Sequence, residues 1–313
     1  MKILIMGAGA VGHVYGAAMA KAGASVAWYV RERHVPELEA GWTVRRVRRL
    51  RGEDVHVVSA PELLTTPAQV AQQRWDQVWL CVPSNAVHEP DVEAMLLATG
   101  DATIVSLTPG PDDRERLVEI VGADRLVEGL IPILAWVEHE PLATVWYVPP
   151  LSSFLFAGPA TEPVVRLMRA GGLAGKAVAD LRAVAPWGVA FTSSLVAELQ
   201  TAGWSFRAFD RNHQRRYRQA FDELCGIIAA QHGRSVPLPV RLLGRIVTRT
   251  GLRVADVIMP LDLQWFLQQH FTKVGAQTTR TLRVYVDSAV TLGLPAPRAV
   301  VALLEKREAL EPA

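Results

Sequence analysis

The stretch Lys2–Val30, KILIMGAGAVGHVYGAAMAKAGASVAWYV, decides the fold. Its first five residues, Lys2–Met6, are a short apolar run of the kind that forms a strand buried on both faces of a parallel sheet. Gly7-Ala8-Gly9-Ala10-Val11-Gly12 follows, and an apolar pattern through Val14, Ala18 and Ala22 predicts a helix that stops at Gly23. A second apolar run, Ser25–Val30, predicts the next strand. This places G-x-G-x-x-G in the strand, turn and helix context that a dinucleotide-binding turn requires. Gly7 permits the tight turn, Gly9 lets the backbone approach a diphosphate, and Gly12 lets the helix lie close to the strand. The anion would lie at the helix start, where unpaired N–H groups and the helix dipole favour negative charge. Gly16, one turn later, serves the same close packing.

The end of the second strand is where such a fold reads the adenosine ribose. A carboxylate there accepts from the 2′-hydroxyl of NAD, whereas an arginine pairs with the 2′-phosphate of NADP. Arg31 comes first in Arg31-Glu32-Arg33-His34, which favours NADP(H); Glu32 keeps NAD open. Two further apolar runs, Gln77–Val82 and Ala102–Leu107, extend the sheet, with a helix between them at Val92–Ala98. In doubly wound folds the loops beyond the carboxyl ends of strands line the ligand crevice. Val82, Pro83 and Asn85, and the run Thr108-Pro109-Gly110-Pro111, are therefore expected at the nicotinamide end of the cofactor.

Beyond about Gly158 strand-like runs give way to helical periodicity, near Pro163–Ala170, Trp187–Thr201 and Arg207–His232 and onward to Glu308. The expected architecture is α/β: a Rossmann-type doubly wound NADP-binding domain over 1–160, then an all-helical domain over 161–313. The helical domain is read as the substrate-binding and dimerisation unit, a homodimer being one assembly open to it. The 313 residues suffice for two such domains.

Composition narrows the function classes. With 33 basic and 31 acidic residues the net charge is +2, so no global field draws the chain to nucleic acid or an anionic membrane. Only five cations are lysines, and the other 28 are arginines, which are poor proton donors at neutral pH. The run Arg45–Arg51 reads as an exposed strand or hairpin whose charges face water. Cys81 and Cys225 lie far apart in apolar surroundings without C-x-x-C spacing, as expected of reduced core thiols in a cytoplasmic protein with no metal site. The glycines and His13 interrupt the first apolar run, against a secretory signal, and no 18-residue apolar stretch occurs.

From end to end the chain resembles the ketopantoate reductase family. The resemblance rests on the opening Gly7–Gly12 with Gly16, Ala22-Gly23 and Arg31, and on Gly122-Ala123-Asp124-Arg125-Leu126 with Gly129. It continues through Ala157-Gly158, Ala170-Gly171-Gly172-Leu173, Asp180-Leu181 and Trp187, and closes on Gly293-Leu294-Pro295-Ala296-Pro297. The resemblance implies NADPH bound by the first domain and a 2-oxo acid reduced to a 2-hydroxy acid. It also implies side chains that this sequence lacks. The family's proton-donating lysine falls on Val189, its two asparagines on Ser193 and Ala197, and its catalytic glutamate on Gln277 with the preceding threonine on Ala276. A substrate-binding serine falls near Trp265, a lysine after the fourth strand on Pro83, and the asparagine of the next loop on Leu107 or Thr108.

Hydride transfer to a ketone builds negative charge on oxygen, which needs a positioned donor or cation. Valine supplies neither, and Gln277 donates a hydrogen bond but gives up no proton near neutral pH. A protonated imine already carries its charge, and Val189, Ser193 and Trp265 make the expected substrate pocket more apolar. Lys273 and His270, four and seven residues before Gln277, are the remaining donor candidates if one helix carries all three. Trp187, Trp204 and Trp265 could wall a planar ligand; Trp265 alone falls on a family contact position, and the others read as core. Two functions stand: an NADPH-dependent oxidoreductase acting on a small-molecule substrate, a bulky ketone or imine, or a catalytically silent NADP(H)-binding sensor or scaffold.

Overall fold

The computed structural model describes residues 1–48, 52–108, 110–150 and 152–310. Arg49, Leu50 and Arg51 of the arginine-rich run, and Pro109, lie outside the described residues. The chain divides into two units, Met1–Leu181 and Arg182–Ala313.

The strands of the first unit are β1 (Lys2–Met6), β2 (Ser25–Tyr29), β3 (Trp42–Arg48), β4 (Gly52–Val58), β5 (Glu62–Leu64), β6 (Gln77–Leu80), β7 (Thr103–Ser106), β8 (Leu126–Gly129), β9 (Leu134–His139), β10 (Leu142–Tyr147), β11 (Phe154–Ala157) and β12 (Gly175–Ala177). Its helices are α1 (Ala10–Lys21), α2 (Val35–Leu38), α3 (Pro67–Ala71), α4 (Pro90–Leu97), α5 (Asp113–Val121) and α6 (Thr161–Ala170). Eight strands form one sheet in the order β12-β11-β8-β7-β6-β1-β2-β5. From β8 to β5 all neighbours are parallel; β11 runs antiparallel to β8, and β12 parallel to β11. The Rossmann-type expectation holds, with the finding that the sheet is mixed at one edge.

Alternation along the central strands sends side chains to two separate cores. Ile3, Ile5, Trp28, Trp79, Val105 and Val127 pack on the face covered by α1 and α6. Leu4, Met6, Ala27, Val78, Leu80 and Ile104 pack on the other face, with Val70 of α3, Val92, Met95 and Leu96 of α4 and Leu117 and Val121 of α5. Strands buried on both faces are why KILIM reads as a continuous apolar run.

A second, four-stranded sheet in the order β4-β3-β10-β9 lies against α1. The β3–β4 hairpin fulfils the expectation for the arginine-rich run over its described residues. Its charges are paired as well as solvated: Arg45 meets Glu53 and Glu138, Arg48 meets Asp54, and Arg46 lies over the Trp146 ring at 4.8 Å. The strands β9 and β10 were absent from the sequence reading, and β10 pairs in parallel with β3, Ala143 opposite Thr43. Helix α1 is thus held between two sheets, which accounts for the burial of every residue from Gly12 to Ala18 and of Met19.

The boundary between units falls after Leu181, not near residue 160. Helix α6 fills the first unit's core with Val164, Val165, Leu167 and Met168, and β12 adds a strand to the eight-stranded sheet, so 161–181 belong with the nucleotide-binding fold. The described remainder of the second unit is helical: α7 (Ala185–Thr201), α8 (Arg211–Gln231), α9 (Leu238–Ile246), α10 (Arg249–Ile258), α11 (Leu263–Lys273), α12 (Gly275–Thr291) and α13 (Arg298–Glu308). Among the described residues no helix is long and apolar enough to cross a membrane.

Candidate nucleotide-binding site

The turn from β1 to α1 is built as its glycines require. Gly7 has φ +96°, a left-handed backbone, and its N–H donates to the Tyr29 carbonyl at 3.0 Å, which ties the turn to β2. A Cβ on Gly7 would lie 2.9 Å from the Cys81 carbonyl oxygen and 3.0 Å from Val82 Cγ1. A Cβ on Gly12 would fall on the Gly7 carbonyl oxygen, so only glycine lets α1 start this close to the strand. Gly16 sits against the Trp28 ring, its added Cβ 2.6 Å from Cζ2, as the packing role expected of it demands. Gly9 is different: nothing lies within 4 Å of a Cβ built there. The backbone at Gly9 faces open space.

Gly9 is also the residue that caps α1, and no side chain covers the helix start. The first intrahelical bond runs from the His13 N–H to the Gly9 carbonyl at 3.0 Å, so the N–H groups before it have no helical partner. The first turn holds no acidic residue. An open cradle, positive dipole end and absence of competing carboxylate are what a diphosphate needs, and Gly7, Ala8, Gly9, Ala10, Val11 and Gly12 fit such a group.

His13, a residue of α1 itself, ties this helix to the second sheet. The ring is buried, its Nδ1 hydrogen-bonds Thr144 Oγ1 on β10 at 2.7 Å, and it stacks on Trp42 of β3 with centroids 4.1 Å apart. Burial lowers its pKa from 6.5 to about 3, so the ring is neutral. Its Nε2 has no partner among the described residues.

Arg31 stands two residues past β2, exposed, with its Nη2 donating to Glu89 Oε2 at 2.9 Å. Arg33 Nε donates to His34 Nε2 at 3.3 Å, and Glu32 is exposed. Val82 lies beside Gly7 after β6, and Pro83 opens a short helical turn, 84–88, that contains exposed Asn85. Buried Asp113 joins the two loops expected at the nicotinamide end: it accepts from Ser84 Oγ at 2.6 Å and from the Gly110 N–H at 2.8 Å. The sequence reading gave no role to Asp113, His13 or Glu89, whose partners Ser84, Thr144 and Arg31 lie 29, 131 and 58 residues away.

In the second unit, Val189 and half-exposed Phe191 precede buried Ser193 on α7, which packs against α11 and α12. The three donor candidates do not share one helix. Helix α11 ends at Lys273 and α12 begins at Gly275, so His270 and Lys273 stand on one helix and Gln277 on the next. His270 stacks on Phe266 at 5.4 Å and meets Phe271 edge-on at 4.8 Å; burial and then the Lys273 charge lower its pKa. Lys273 is exposed, and Trp265 is 44% exposed on α11. Trp187 and Trp204 are core, as expected.

Two buried charges that sequence reasoning passed over brace these helices. Glu198 of α7, fully buried, accepts from Arg216 Nε of α8 at 2.9 Å. Arg307 of α13, also buried, donates to Thr279 Oγ1 and to the Gly275 carbonyl, both at 2.8 Å, and to Gln200 Oε1, and so fixes the start of α12.

With this geometry in place, comparison with known proteins finds that residues 3–142 match the family described as Ketopantoate reductase PanE/ApbA. The PanE/ApbA resemblance read from the sequence holds over this stretch. Solved structures share the fold over nearly the whole chain. A 2-dehydropantoate 2-reductase from Geobacter metallireducens GS-15 gives a TM-score of 0.76 at 15% identity, covering 98% of this chain and 99% of that one. A PanE/ApbA family ketopantoate reductase from Ralstonia eutropha JMP134 gives 0.74 at 20% identity, covering 99% of each. A D-mandelate dehydrogenase, solved with NADH and anilino(oxo)acetate, gives 0.73 at 12% identity over 99% and 98%. No curated protein matches the sequence significantly.

Proposed function

We propose that this chain is an NADP(H)-dependent oxidoreductase whose substrate is a bulky ketone or an imine rather than ketopantoate. The observation that carries the reading is the open Gly9 cradle at an uncapped helix start, with Arg31 at the end of β2. The fold likeness to a ketopantoate reductase and to a D-mandelate dehydrogenase supports hydride transfer to or from an oxidised carbon.

The dinucleotide, when bound, supplies the hydride. The Gly7–Gly12 amides would hold its diphosphate, and Arg31 would pair with the 2′-phosphate of its adenosine ribose. A ketone oxygen would gain a full negative charge and require a proton. Val189 offers none, the His270 ring is held neutral by burial and by Lys273, and Gln277 is not an acid. For a protonated imine, the hydride pair forms the C–H bond while the C=N π pair becomes the nitrogen lone pair. No enzymic proton is needed for such a substrate.

The same depleted set of donors favours a second reading, a catalytically silent NADP(H)-binding sensor or scaffold. The test is loss of NADPH absorbance over a panel of bulky ketones, cyclic imines and ketopantoate. Turnover of an imine or bulky ketone is expected. Tight NADPH binding with no turnover would favour the silent protein, and brisk turnover of ketopantoate would overturn the substrate assignment.

A further inference from the structure

Strand β1 lies between β2 and β6, and all three are parallel, so their carboxyl ends share one edge of the sheet. Arg31 leaves that edge after β2, and Glu89 leaves it after β6, at the start of α4. Their 2.9 Å ion pair therefore joins the two segments that flank the carboxyl end of β1, where the Gly7–Gly12 turn begins. We infer that Glu89 is a cofactor-selecting residue: Arg31 sets which nicotinamide dinucleotide is preferred, and Glu89, by holding Arg31, limits how strongly. This rests on the dinucleotide reading above and goes beyond it in assigning a residue to the choice between NADPH and NADH.

The chemistry follows from what each ribose presents. A 2′-phosphate carries close to two negative charges and seeks the guanidinium. Glu89 already occupies Arg31 Nη2, so an incoming phosphate must either displace a carboxylate or share one cation with it. Both outcomes reduce its gain. The α4 start adds to this, since Asp91 approaches the Tyr29 phenol, whose pKa is raised by burial and then by that carboxylate. A 2′-hydroxyl is the reverse case. It is a donor, and a carboxylate beside it is an acceptor rather than a rival, the role that the acidic residue at the end of the second strand has in NAD-binding folds. One carboxylate thus opposes NADPH and supports NADH.

The test is direct titration of the full-length protein with NADPH and with NADH, followed by calorimetry. Glu89→Gln, which keeps size and polarity, is expected to tighten NADPH about threefold to tenfold and to leave NADH unchanged or about twofold weaker, as for a partly exposed charge contact. Glu89→Asp should keep the wild-type ratio of the two affinities. In an Arg31→Ala background the gain in NADPH affinity should disappear, because the competition it relieves is gone. An unchanged NADPH/NADH ratio in Glu89→Gln, equal tightening of both, or a gain that persists without Arg31 would overturn the inference while leaving the dinucleotide reading intact. Failure of both dinucleotides to bind wild type and variant would instead overturn that reading.

Discussion

Two helices of this chain begin in opposite ways. At α13 the free N–H groups of Ala299 and Val300 are taken by the Glu223 carboxylate, at 2.8 and 3.0 Å. At α1 no side chain covers the start, Gly9 opens on empty space, and the first turn carries no acid. The physical demand is the same in both, four orphan donors and a positive dipole end. One helix meets it with a carboxylate of its own unit; the other meets it with no side chain among the described residues. In the second unit Glu198 is engaged by Arg216, and Arg307 by the start of α12.

The sharpest way to break this contrast is to fill the open end. Gly12→Val puts a side chain on the Gly7 carbonyl oxygen, and NADPH binding by calorimetry should vanish with about 2–4 kcal/mol of stability lost in denaturant unfolding. Retained binding would mean that the turn does not hold the ligand. The second unit should answer differently. Arg216→Ala leaves the Glu198 carboxylate buried without its cation and is expected to cost about 3–5 kcal/mol in unfolding.

Acid titration separates the two regions further. His13 is neutral in the fold with a pKa of about 3, against 6.5 when unfolded, so below pH 6.5 the unfolded chain binds the extra proton. Stability attached to His13 is complete above pH 6.5 and falls by about 1.4 kcal/mol per pH unit as pH drops toward 3. His13→Gln should flatten this limb in urea titrations between those limits; an unchanged slope would place the acid sensitivity elsewhere. The smallest effect expected is at the surface: Arg31→Ala should weaken NADPH about tenfold and NADH hardly at all, as for loss of one charge-assisted contact.

What the sequence disclosed and what it hid differ by range. The β1–turn–α1 unit was legible because its signals are local: five apolar residues, glycines at fixed spacing, and an apolar helix face. The hairpin β3–β4 was legible in the same way. The sheet it belongs to was not, because β10 pairs with a strand about a hundred residues earlier, and Trp136, Glu138 and His139 blur the alternation of β9. The domain boundary was misplaced because Pro163–Ala170 is a genuine helical pattern whose apolar face meets a sheet, which periodicity does not reveal. At the candidate site, Gly7, Gly9, Gly12 and Arg31 were named from the motif, whereas Glu89 was not, since it meets Arg31 across 58 residues of sequence. The condition for His270, Lys273 and Gln277 to share one helix is not met, because one helix ends and the next begins at Val274.

The clasp of α1 between two sheets has a thermodynamic consequence. A loop that closes around its ligand loses freedom on binding and forfeits part of its contact energy; a helix packed on Trp28 at Gly16 and on Trp42 through its own His13 has little disorder left to lose. Association at this end should therefore proceed as docking onto a finished surface, with a heat-capacity change set by the area covered rather than by any ordering of the chain.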